Sequence, residues 1–303
     1  MARSGRCRSR AQKRTACANR IPVARSGGGV WLFAPTLLII GGSENFTGAP
    51  AFSALAATKC GTDLVYVASP AKTAETIASY SPDLITIKLP GDHLNPRALP
   101  ELAKWTTTVD AIVLGPGIGL HEETVDAVKK LITEAGEQNK PMVLDADALK
   151  IFGRNRRRLK GPAVLTPHQG EFAQVLQRKI SPDTQLRQEA ARQLATETGA
   201  TVVLKANVDI IADTNRLRLN KTGNPYMTVG GTGDILTGII GAFLSQKADP
   251  FRAAVAGAFL NGLAGDMLMK EKGPTVTPLA LVDHIPRAIK YCADGPPFPP
   301  IQG

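Results

Sequence analysis

Short apolar runs and segments with helical spacing alternate along the chain from residue 36 to about residue 290. The apolar runs are rich in β-branched residues and apolar throughout, which is typical of strands that are buried on both faces of a sheet. Between them, apolar residues recur every three or four positions, as in helices that cover a core. The pattern predicts an α/β fold with a mostly parallel central sheet. The runs, in chain order, are TLLIIGG, LVYVAS, LITIKL, AIVLGPG, PMVLDADAL, AVLTPH and TVVLKAN.

The chain divides into three parts. Residues 36–293 carry the strand–helix alternation without a linker-like break, and 303 residues suit one large α/β domain better than two. Residues 1–35 are predicted to form a basic, disordered extension. Residues 294–303, DGPPFPPIQG, are predicted to form a Pro-rich, disordered tail.

The net charge of +10 suggests a nucleic-acid partner until the charge is located along the chain. Residues 1–25 hold seven Arg, one Lys and no acidic residue, so they carry +8 of it. The remaining 28 basic and 26 acidic residues nearly cancel. We therefore expect that the folded body does not bind nucleic acid.

Residues 1–29 allow several interpretations. They are Arg-rich, contain Ser and lack acidic residues, as organellar transit peptides do, and with the following WLFAPTLLII they imitate a secretory signal. We favour a disordered extension or a start codon assigned too early. The apolar run is about half of the ~20 residues that cross a bilayer, so no membrane association is expected. The four cysteines have no CxxC spacing, which predicts neither a zinc site nor disulfides and favours a cytoplasmic protein.

The segment NPYMTVGGTGDILTGIIGAF, residues 224–243, places glycines directly before an apolar helix. Gly230, Gly231 and Gly233 allow positive φ and a close approach to a ligand, while the helix start offers unpaired amides and a positive dipole end. Gly238 and Gly241 permit close packing of that helix. We predict an anion site at this turn.

Asp234 follows these glycines and has two interpretations. As an acid in the first turn, it stabilises the helix start. A carboxylate beside a phosphate site also repels the ligand, unless it accepts a proton from an attacking hydroxyl or holds Mg²⁺. We favour the catalytic interpretation.

Six motifs in order resemble one family. GGTGD opening a helix is similar to the anion hole and catalytic Asp of ribokinase-like small-molecule kinases. Together with five upstream segments it resembles the ADP-dependent (S)-NAD(P)H-hydrate dehydratases, the YjeF-type carbohydrate-kinase-like domain, over roughly residues 36–290. The five segments are LLIIGGSENFTGAPAFSALAA, VLGPGIG, VLDADAL, LTPHQGEF and LKANVDIIAD.

The resemblance implies a ribokinase-like three-layer α/β/α sandwich and a reaction of nicotinamide cofactor repair. The terminal phosphoryl group of ADP or ATP passes to the C6 hydroxyl of the hydrated ring, and phosphate then leaves to regenerate NADH or NADPH. With ADP, the products are AMP and phosphate. Such chemistry depends on positioning and charge neutralisation more than on covalent catalysis.

The resemblance also assigns residues. Asp234 matches the base and a contact to the hydrate, and the backbone of Gly231, Thr232 and Gly233 would stabilise charge on the transferred group. The other substrate contacts and the nucleotide contacts that match are Ala49, Gly117 and His168 for the hydrate, and Lys205, Ala206, Asn207, Val208, Asp209 and Gly233 for the nucleotide.

Several of these residues have plainer interpretations. Lys205 can be a solvated strand end, His168 a cap or surface residue, and Gly117 part of an ordinary turn. Glu171 falls where ribokinase-like enzymes keep an acid tied to water-bound Mg²⁺. The other histidines are expected at the surface: His93, His121 and His284.

Asp145 and Asp147 lie on one face if their strand continues, because side chains in a strand alternate with a period of two. Paired acids bind metals or act as acid and base. We predict a structural, phosphate-peripheral role for Asp147 and a catalytic role for neither.

The resemblance further implies Mg²⁺, a homotetramer and functional pairing with a separate epimerase, since the chain has no room for the epimerase domain of bifunctional relatives. It departs from the family before Thr36, where RSGGGVWLFAPT replaces a basic, Gly-containing stretch. Two alternatives remain open: a vitamin-precursor kinase of the hydroxymethylpyrimidine or hydroxyethylthiazole type, and a non-enzymatic binding protein with a basic tail.

Overall fold

The computed structural model describes residues 34–294. The predicted basic extension lies outside the described residues up to residue 33, and so does the predicted Pro-rich tail beyond Asp294. Nine strands are present in the described part: β1 Thr36–Ile40, β2 Leu64–Pro70, β3 Ile85–Leu89, β4 Ala111–Leu114, β5 Met142–Leu144, β6 Ala163–Leu165, β7 Thr201–Leu204, β8 Asp209–Ala212 and β9 Leu217–Asn220.

The helices follow the strands in the predicted alternation. In the described part they are α1 Gly48–Lys59, α2 Ala71–Ala78, α3 Leu99–Thr108, α4 Glu122–Glu137, α5 Ala146–Arg154, α6 Gln169–Leu176, α7 Thr184–Thr198, α8 Thr232–Ser245, α9 Pro250–Lys272 and α10 Pro278–Asp294. Short 3-10 turns lie at Pro96–Ala98 and Pro225–Met227.

All nine strands form one sheet in the order β3-β2-β1-β4-β5-β6-β7-β8-β9. The strands β1 to β7 are parallel to one another, and β8 and β9 extend the sheet through antiparallel pairing of β7 with β8 and of β8 with β9. The mostly parallel sheet predicted from the sequence is confirmed. The antiparallel hairpin at the end is an addition to that prediction.

Two apolar clusters cover the two faces of the sheet, because successive strand side chains point to opposite sides. Leu37 and Ile39 belong to a cluster with α1, α8, α9 and α10. Leu38 and Ile40 belong to a second cluster with α3 to α7. The molecule is therefore the expected three-layer α/β/α sandwich.

Two helices of the first layer pack at backbone distance. A Cβ added at Gly238 of α8 would lie 2.0 Å from the backbone oxygen of Ser53 in α1, and one at Gly241 would lie 2.6 Å from a methyl of Val113 in β4. The close packing predicted for these two glycines is confirmed. It fixes the N-terminal end of α8 against α1 and the sheet.

Two expectations about side chains are wrong. The strand does not continue through Asp145 and Asp147: β5 ends at Leu144, Asp145 precedes α5, and Asp147 lies in its first turn. The chain turns there because Ala146 has a left-handed φ of 48°. His284 is also not a surface residue: it is 4% exposed within α10, and Nδ1 lies 2.7 Å from the carbonyl of Ala280.

Within residues 34–294, every helix is too short or too polar to cross a bilayer.

Candidate active site

The polar residues singled out from the sequence converge because parallel strands end at the same edge of a sheet. Gly115 follows β4, Asp145 follows β5, and Lys205 follows β7. His168, three residues beyond β6, pairs with Lys205 through an isolated parallel bridge. Four polar strand ends therefore lie together at one edge of the sheet.

The turn before α8 has the shape of an anion site. Gly231 is the N-cap residue with a φ of 100°, and the first amides of the helix have no partner within it. The Thr232 hydroxyl donates to the carbonyls of Met227 and Val229, at 2.9 and 3.0 Å, which holds the turn. The positive φ predicted for three glycines occurs at Gly231 alone, since Gly230 and Gly233 do not adopt it.

Asp234 is the acidic residue in the first turn of α8, which begins after the N-cap residue Gly231. This position agrees with the plainer interpretation, in which a first-turn acid stabilises the helix start through the helix dipole, and it is equally compatible with the catalytic interpretation. Burial raises the pKa of the Asp234 carboxyl to about 7, and the nearby Asp145 carboxylate raises it too, while Lys205 opposes the shift and Glu171 adds to it. A carboxyl poised near neutral pH suits a general base.

A buried network of four side chains lies beneath Asp234. The Asp145 carboxylate accepts hydrogen bonds from Thr166 at 2.8 Å, from Thr237 at 2.7 Å and from the Lys205 ammonium at 3.1 Å. Asp145 is only 2% exposed, so its charge is balanced by these donors rather than by water. This arrangement holds the ammonium group of Lys205 in one place.

Lys205 is directed at the start of α8. Its Nζ atom lies 3.4 Å from where a Cβ would be built on Gly233. Burial lowers the pKa of Lys205, but Asp145, Glu171 and Asp234 raise it by more, so the group stays cationic. A fixed cation beside unpaired helix amides is the arrangement that binds a phosphate group.

The residues Ala206 to Val208 form the turn between β7 and β8. Asp209 closes this turn: it accepts from the Ala206 amide and from the Asn220 side chain, both at 3.0 Å. Burial raises the pKa of Asp209 against the effect of these two bonds. Asn207 is exposed at the tip of the turn. The segment predicted to bind nucleotide therefore forms one compact turn beside Lys205.

His168 and Glu171 form a reciprocal cap at the start of α6. The His168 Nδ1 atom accepts from the amides of Gly170 and Glu171, at 2.9 and 3.3 Å, and Glu171 accepts from the His168 amide at 3.0 Å. Because Nδ1 is an acceptor, the proton of a neutral ring is assigned to Nε2. The His168 side chain is 60% exposed, so both the cap interpretation and a ligand contact are compatible with it.

Gly117 and Ala49 lie together. A Cβ built on Gly117, which has a φ of 64°, would lie 2.8 Å from Phe46 Cβ and 3.3 Å from Ala49 Cβ. Phe46 itself is 58% exposed. Helix α1 connects this pair to the anion site, because the Ser53 hydroxyl donates to the Asp234 carbonyl at 2.8 Å and Phe52 packs against Gly231.

Asp147 has a structural role. It accepts from the Gly119 amide at 3.0 Å and pairs with Lys150 at 2.8 Å, which fixes the loop after β4.

The sequence analysis did not single out Thr166 or Thr237. It also did not predict that both hydroxyl groups donate to the Asp145 carboxylate. Thr237 lies three residues after Asp234 on the same side of α8, and this spacing was the one available signal. The link to Asp145 spans 92 residues and depends on the tertiary fold.

The sequence model for the NAD(P)H-hydrate dehydratase form of the carbohydrate kinase domain matches residues 37–287. Among curated relatives, a bifunctional NAD(P)H-hydrate repair enzyme of Pyrobaculum aerophilum is 40% identical over 258 residues, which cover 85% of this chain and 51% of that protein. The chain thus spans about half the length of the bifunctional relatives it matches. An ADP-dependent (S)-NAD(P)H-hydrate dehydratase of Cenarchaeum symbiosum is 36% identical, covering 84% of this chain and 88% of that one.

Among solved structures, an ADP/ATP-dependent NAD(P)H-hydrate dehydratase from Bacillus subtilis, co-crystallised with ATP and Mg²⁺ and soaked with CoA, has a TM-score of 0.76. Its identity is 26%, with 92% of this chain and 97% of that chain covered. The span matched by the family model contains all nine strands apart from Thr36, the first residue of β1, and the whole glycine turn. The chain belongs to the NAD(P)H-hydrate dehydratase family.

Proposed function

We propose that this protein dehydrates the S epimer of hydrated NADH or NADPH and so returns the cofactor to its active form. ADP or ATP would be the phosphoryl donor. One observation carries the proposal: the Asp234 carboxyl has a pKa raised to about 7 and lies in the first turn of α8, where the Lys205 ammonium is 3.4 Å from the Cβ position of Gly233. A base and a phosphate cradle are thus adjacent. The related dehydratase of Cenarchaeum symbiosum is named for the same reaction.

In the first step, Asp234 takes the proton of the C6 hydroxyl group on the hydrated ring. The oxygen of that hydroxyl group attacks the terminal phosphorus of the nucleotide. The bond from that phosphorus to the bridging oxygen breaks, and AMP leaves when ADP is the donor. In the second step, the ring nitrogen expels phosphate with the C6–O electron pair, and the neighbouring carbon loses a proton. The sum is hydrate plus ADP giving NAD(P)H, AMP, phosphate and a proton.

The transferred group would lie against the amides of Thr232 and Gly233 after the Gly231 turn. These donors need no reorganisation, because the turn is already fixed by Thr232 and by the packing of Gly231 on Phe52. Lys205 would neutralise the phosphate oxygens, and the Ala206–Asp209 turn would flank the rest of the nucleotide. In this arrangement the protein supplies electrostatic stabilisation and positioning.

The hydrated nicotinamide would lie on the other side of Asp234, toward His168 and the pair formed by Gly117 and Ala49. Glycine is needed at Gly117 because its φ is 64° and because Phe46 and Ala49 fill the place of a side chain, which holds the loop beside α1. The His168 Nε2 atom lies 3.5 Å from Glu171 Oε1, and on ligand binding its proton would instead be donated to an amide or phosphate oxygen of the cofactor.

The site fits Mg²⁺ in charge and donor type. Asp145, Glu171 and Asp234 provide three carboxyl groups against the single ammonium of Lys205, and oxygen ligands are what Mg²⁺ prefers. Bound Mg²⁺ would neutralise phosphate charge. We propose that Glu171, one of whose oxygens is already used by the His168 amide, holds the ion through water.

The test is an absorbance assay with enzymatically prepared hydrated NADH, Mg²⁺ and ADP. We expect the reduced-nicotinamide band to return only when nucleotide is present, with one AMP released per molecule repaired. A parallel incubation offers hydroxyethylthiazole and hydroxymethylpyrimidine with ATP. A silent absorbance trace with rapid phosphorylation of either vitamin precursor would favour the kinase interpretation instead.

The homotetramer, the cytoplasmic location and the partnership with a separate epimerase are also part of the proposal. They derive from the family resemblance. Sedimentation of the purified chain tests the first of them.

A further inference from the structure

We propose that His93, His121 and Glu123 form a binding site for a divalent transition-metal ion, with zinc as the ion that suits it best. Their ligand atoms all lie within 4.8 Å of one another. The site is separate from the carboxylates around Asp234 and does not depend on the proposed function.

The three side chains come from two loops at the carboxyl edge of the sheet. His93 lies between β3 and the 3-10 turn at Pro96–Ala98, while His121 is the N-cap of α4 and Glu123 lies in the first turn of that helix. His93 Nε2 is 2.7 Å from Glu123 Oε2, and the two imidazole rings are 3.7 Å apart between centroids, tilted by 30°. Two imidazoles and a carboxylate therefore face one small volume.

Buried contacts hold the two loops in this arrangement. The Thr124 hydroxyl in α4 donates to the Leu94 carbonyl at 2.7 Å, and both residues are 0 or 1% exposed. The buried Asn95 side chain donates to the carbonyls of Pro90 and His93, at 2.7 and 2.8 Å. The backbones that carry the ligands are thus positioned by the core, so an ion would bind a largely formed site.

The donor set selects the class of ion. Neutral imidazole nitrogens and a carboxylate bind Zn²⁺, Cu²⁺ and Ni²⁺, whereas Mg²⁺ and Ca²⁺ prefer oxygen ligands alone. Three protein ligands leave a fourth zinc position for water.

Side-chain movements of about 1 Å are needed. A tetrahedral zinc ion with bonds of about 2.1 Å places its ligand atoms about 3.4 Å apart. Atoms that lie up to 4.8 Å apart must therefore close by up to about 1.4 Å, and the 2.7 Å pair of His93 Nε2 and Glu123 Oε2 must open by about 0.7 Å. The side chains of His93 and Glu123 are 30 and 53% exposed, which leaves them free to adjust. The His121 Nδ1 atom accepts only one long bond, 3.3 Å from the Glu123 amide, so coordination or a ring turn costs little. Two glutamates in the first turn of α4 offset the helix dipole, which disfavours cations.

The test is titration of the full-length chain with Zn²⁺ alone, followed by calorimetry, with Co²⁺ used as an optical probe. We expect one ion per chain, a visible Co²⁺ spectrum that Zn²⁺ abolishes, and no displacement by excess Mg²⁺. Zinc at tenfold above its Kd should raise Tm by about 3 °C.

Three substitutions remove ligands without disturbing the core. His93→Ala, Glu123→Gln and His121→Asn should each weaken zinc binding by roughly tenfold or more and abolish the Tm shift. The Asn side chain can still accept the capping hydrogen bond at the start of α4. Weaker zinc binding by His121→Asn would therefore result from the lost imidazole and not from a disrupted helix start.

Two controls should bind zinc as the wild type does. His168→Ala removes a histidine outside the cluster, and a Cys7→Ser, Cys17→Ser double variant removes two thiols that lie outside the described residues. Absence of stoichiometric binding by the wild type would overturn the proposal. So would binding that survives in both histidine variants of the cluster, or that disappears in either control.

Discussion

At the scale of single residues, Asp234 has the properties of a base because its surroundings oppose its charge. Burial and the Asp145 carboxylate raise its pKa to about 7, and Lys205 limits the rise. An acid of this kind accepts a proton near neutral pH, where an exposed aspartate is a poor base. Three predictions belong to this scale.

The first concerns turnover. Asp234→Asn removes the proton acceptor but leaves the Gly231 turn and Lys205 in place. We expect nucleotide binding to stay within a few-fold of the wild type while kcat falls by about 10²- to 10⁴-fold. Equilibrium nucleotide binding and steady-state repair kinetics measure the two quantities. Equal turnover in the two proteins would remove Asp234 from the proposed role.

The second concerns the pH profile. The acidic limb of kcat/KM should have an apparent pKa near 7, because Asp234 must be ionised to act. Asp145→Asn removes a negative charge that raises this pKa, so the limb should move to lower pH. Thr166→Val is the matched control: it removes one hydrogen bond to Asp145 but leaves the charge, so its limb should stay near that of the wild type. A limb that is unmoved in Asp145→Asn contradicts the electrostatic account.

The third concerns stability. The folded pKa of Asp234, about 7, exceeds the unfolded value of about 4, so ionisation costs folding free energy as pH rises between these values. Asp234→Asn should therefore be more stable than the wild type at pH 8, by up to about 4 kcal/mol, with the difference vanishing toward pH 4. Urea unfolding at several pH values measures it. The exposed Asp283 provides the control, since Asp283→Asn should change little at any pH.

At the scale of elements, the site depends on how α8 begins and how closely it packs. The helix starts at a residue with a left-handed φ, and its first turns lie against the backbone of α1. The proposed anion site thus depends on two helices and one turn rather than on any single side chain.

Adjacent glycines test this dependence. Gly231 has a φ of 100°, and a Cβ there would lie 2.8 Å from Pro278 and 3.0 Å from Phe52, whereas a Cβ at Gly230 would meet nothing within 4 Å. We expect Gly231→Ala to destabilise the protein by about 1–3 kcal/mol and to lose most of its repair activity. Gly230→Ala should change the unfolding free energy by less than about 0.5 kcal/mol. Equal behaviour of the two variants would show that the turn is not strained at Gly231.

At the scale of the whole molecule, the described residues form one sheet between two helical layers, and the chain matches about half the length of bifunctional repair enzymes. The proposed site accounts for dehydration.

This leads to a prediction about epimers. Given a mixture of R and S hydrates with excess ADP, the chain should consume the S form quickly and then proceed only at the rate of spontaneous epimerisation. Added epimerase should restore a fast second phase. Chiral separation of the remaining hydrate follows both forms. Rapid consumption of the R form by the chain alone would contradict the proposed specificity.

The sequence by itself determined much of this protein. Continuous apolar runs separated by amphipathic segments predicted the parallel sheet, because strands buried on both faces leave that pattern. The order of six motifs predicted the family and located Asp234, Lys205 and His168 at strand ends or helix starts. The glycines at 238 and 241 predicted close helix packing, since any side chain there would collide with the neighbouring helix or strand.

Tertiary structure decided what local patterns do not encode. The network of Asp145 with Thr166, Thr237 and Lys205 joins residues 21 to 92 positions apart, and no local spacing signals it. The end of β5 at Leu144, the burial of His284 and the meeting of His93 with Glu123 likewise depend on which loops the core brings together. Periodicity reports which faces of a segment are apolar, whereas distances between remote side chains are fixed only when the layers pack.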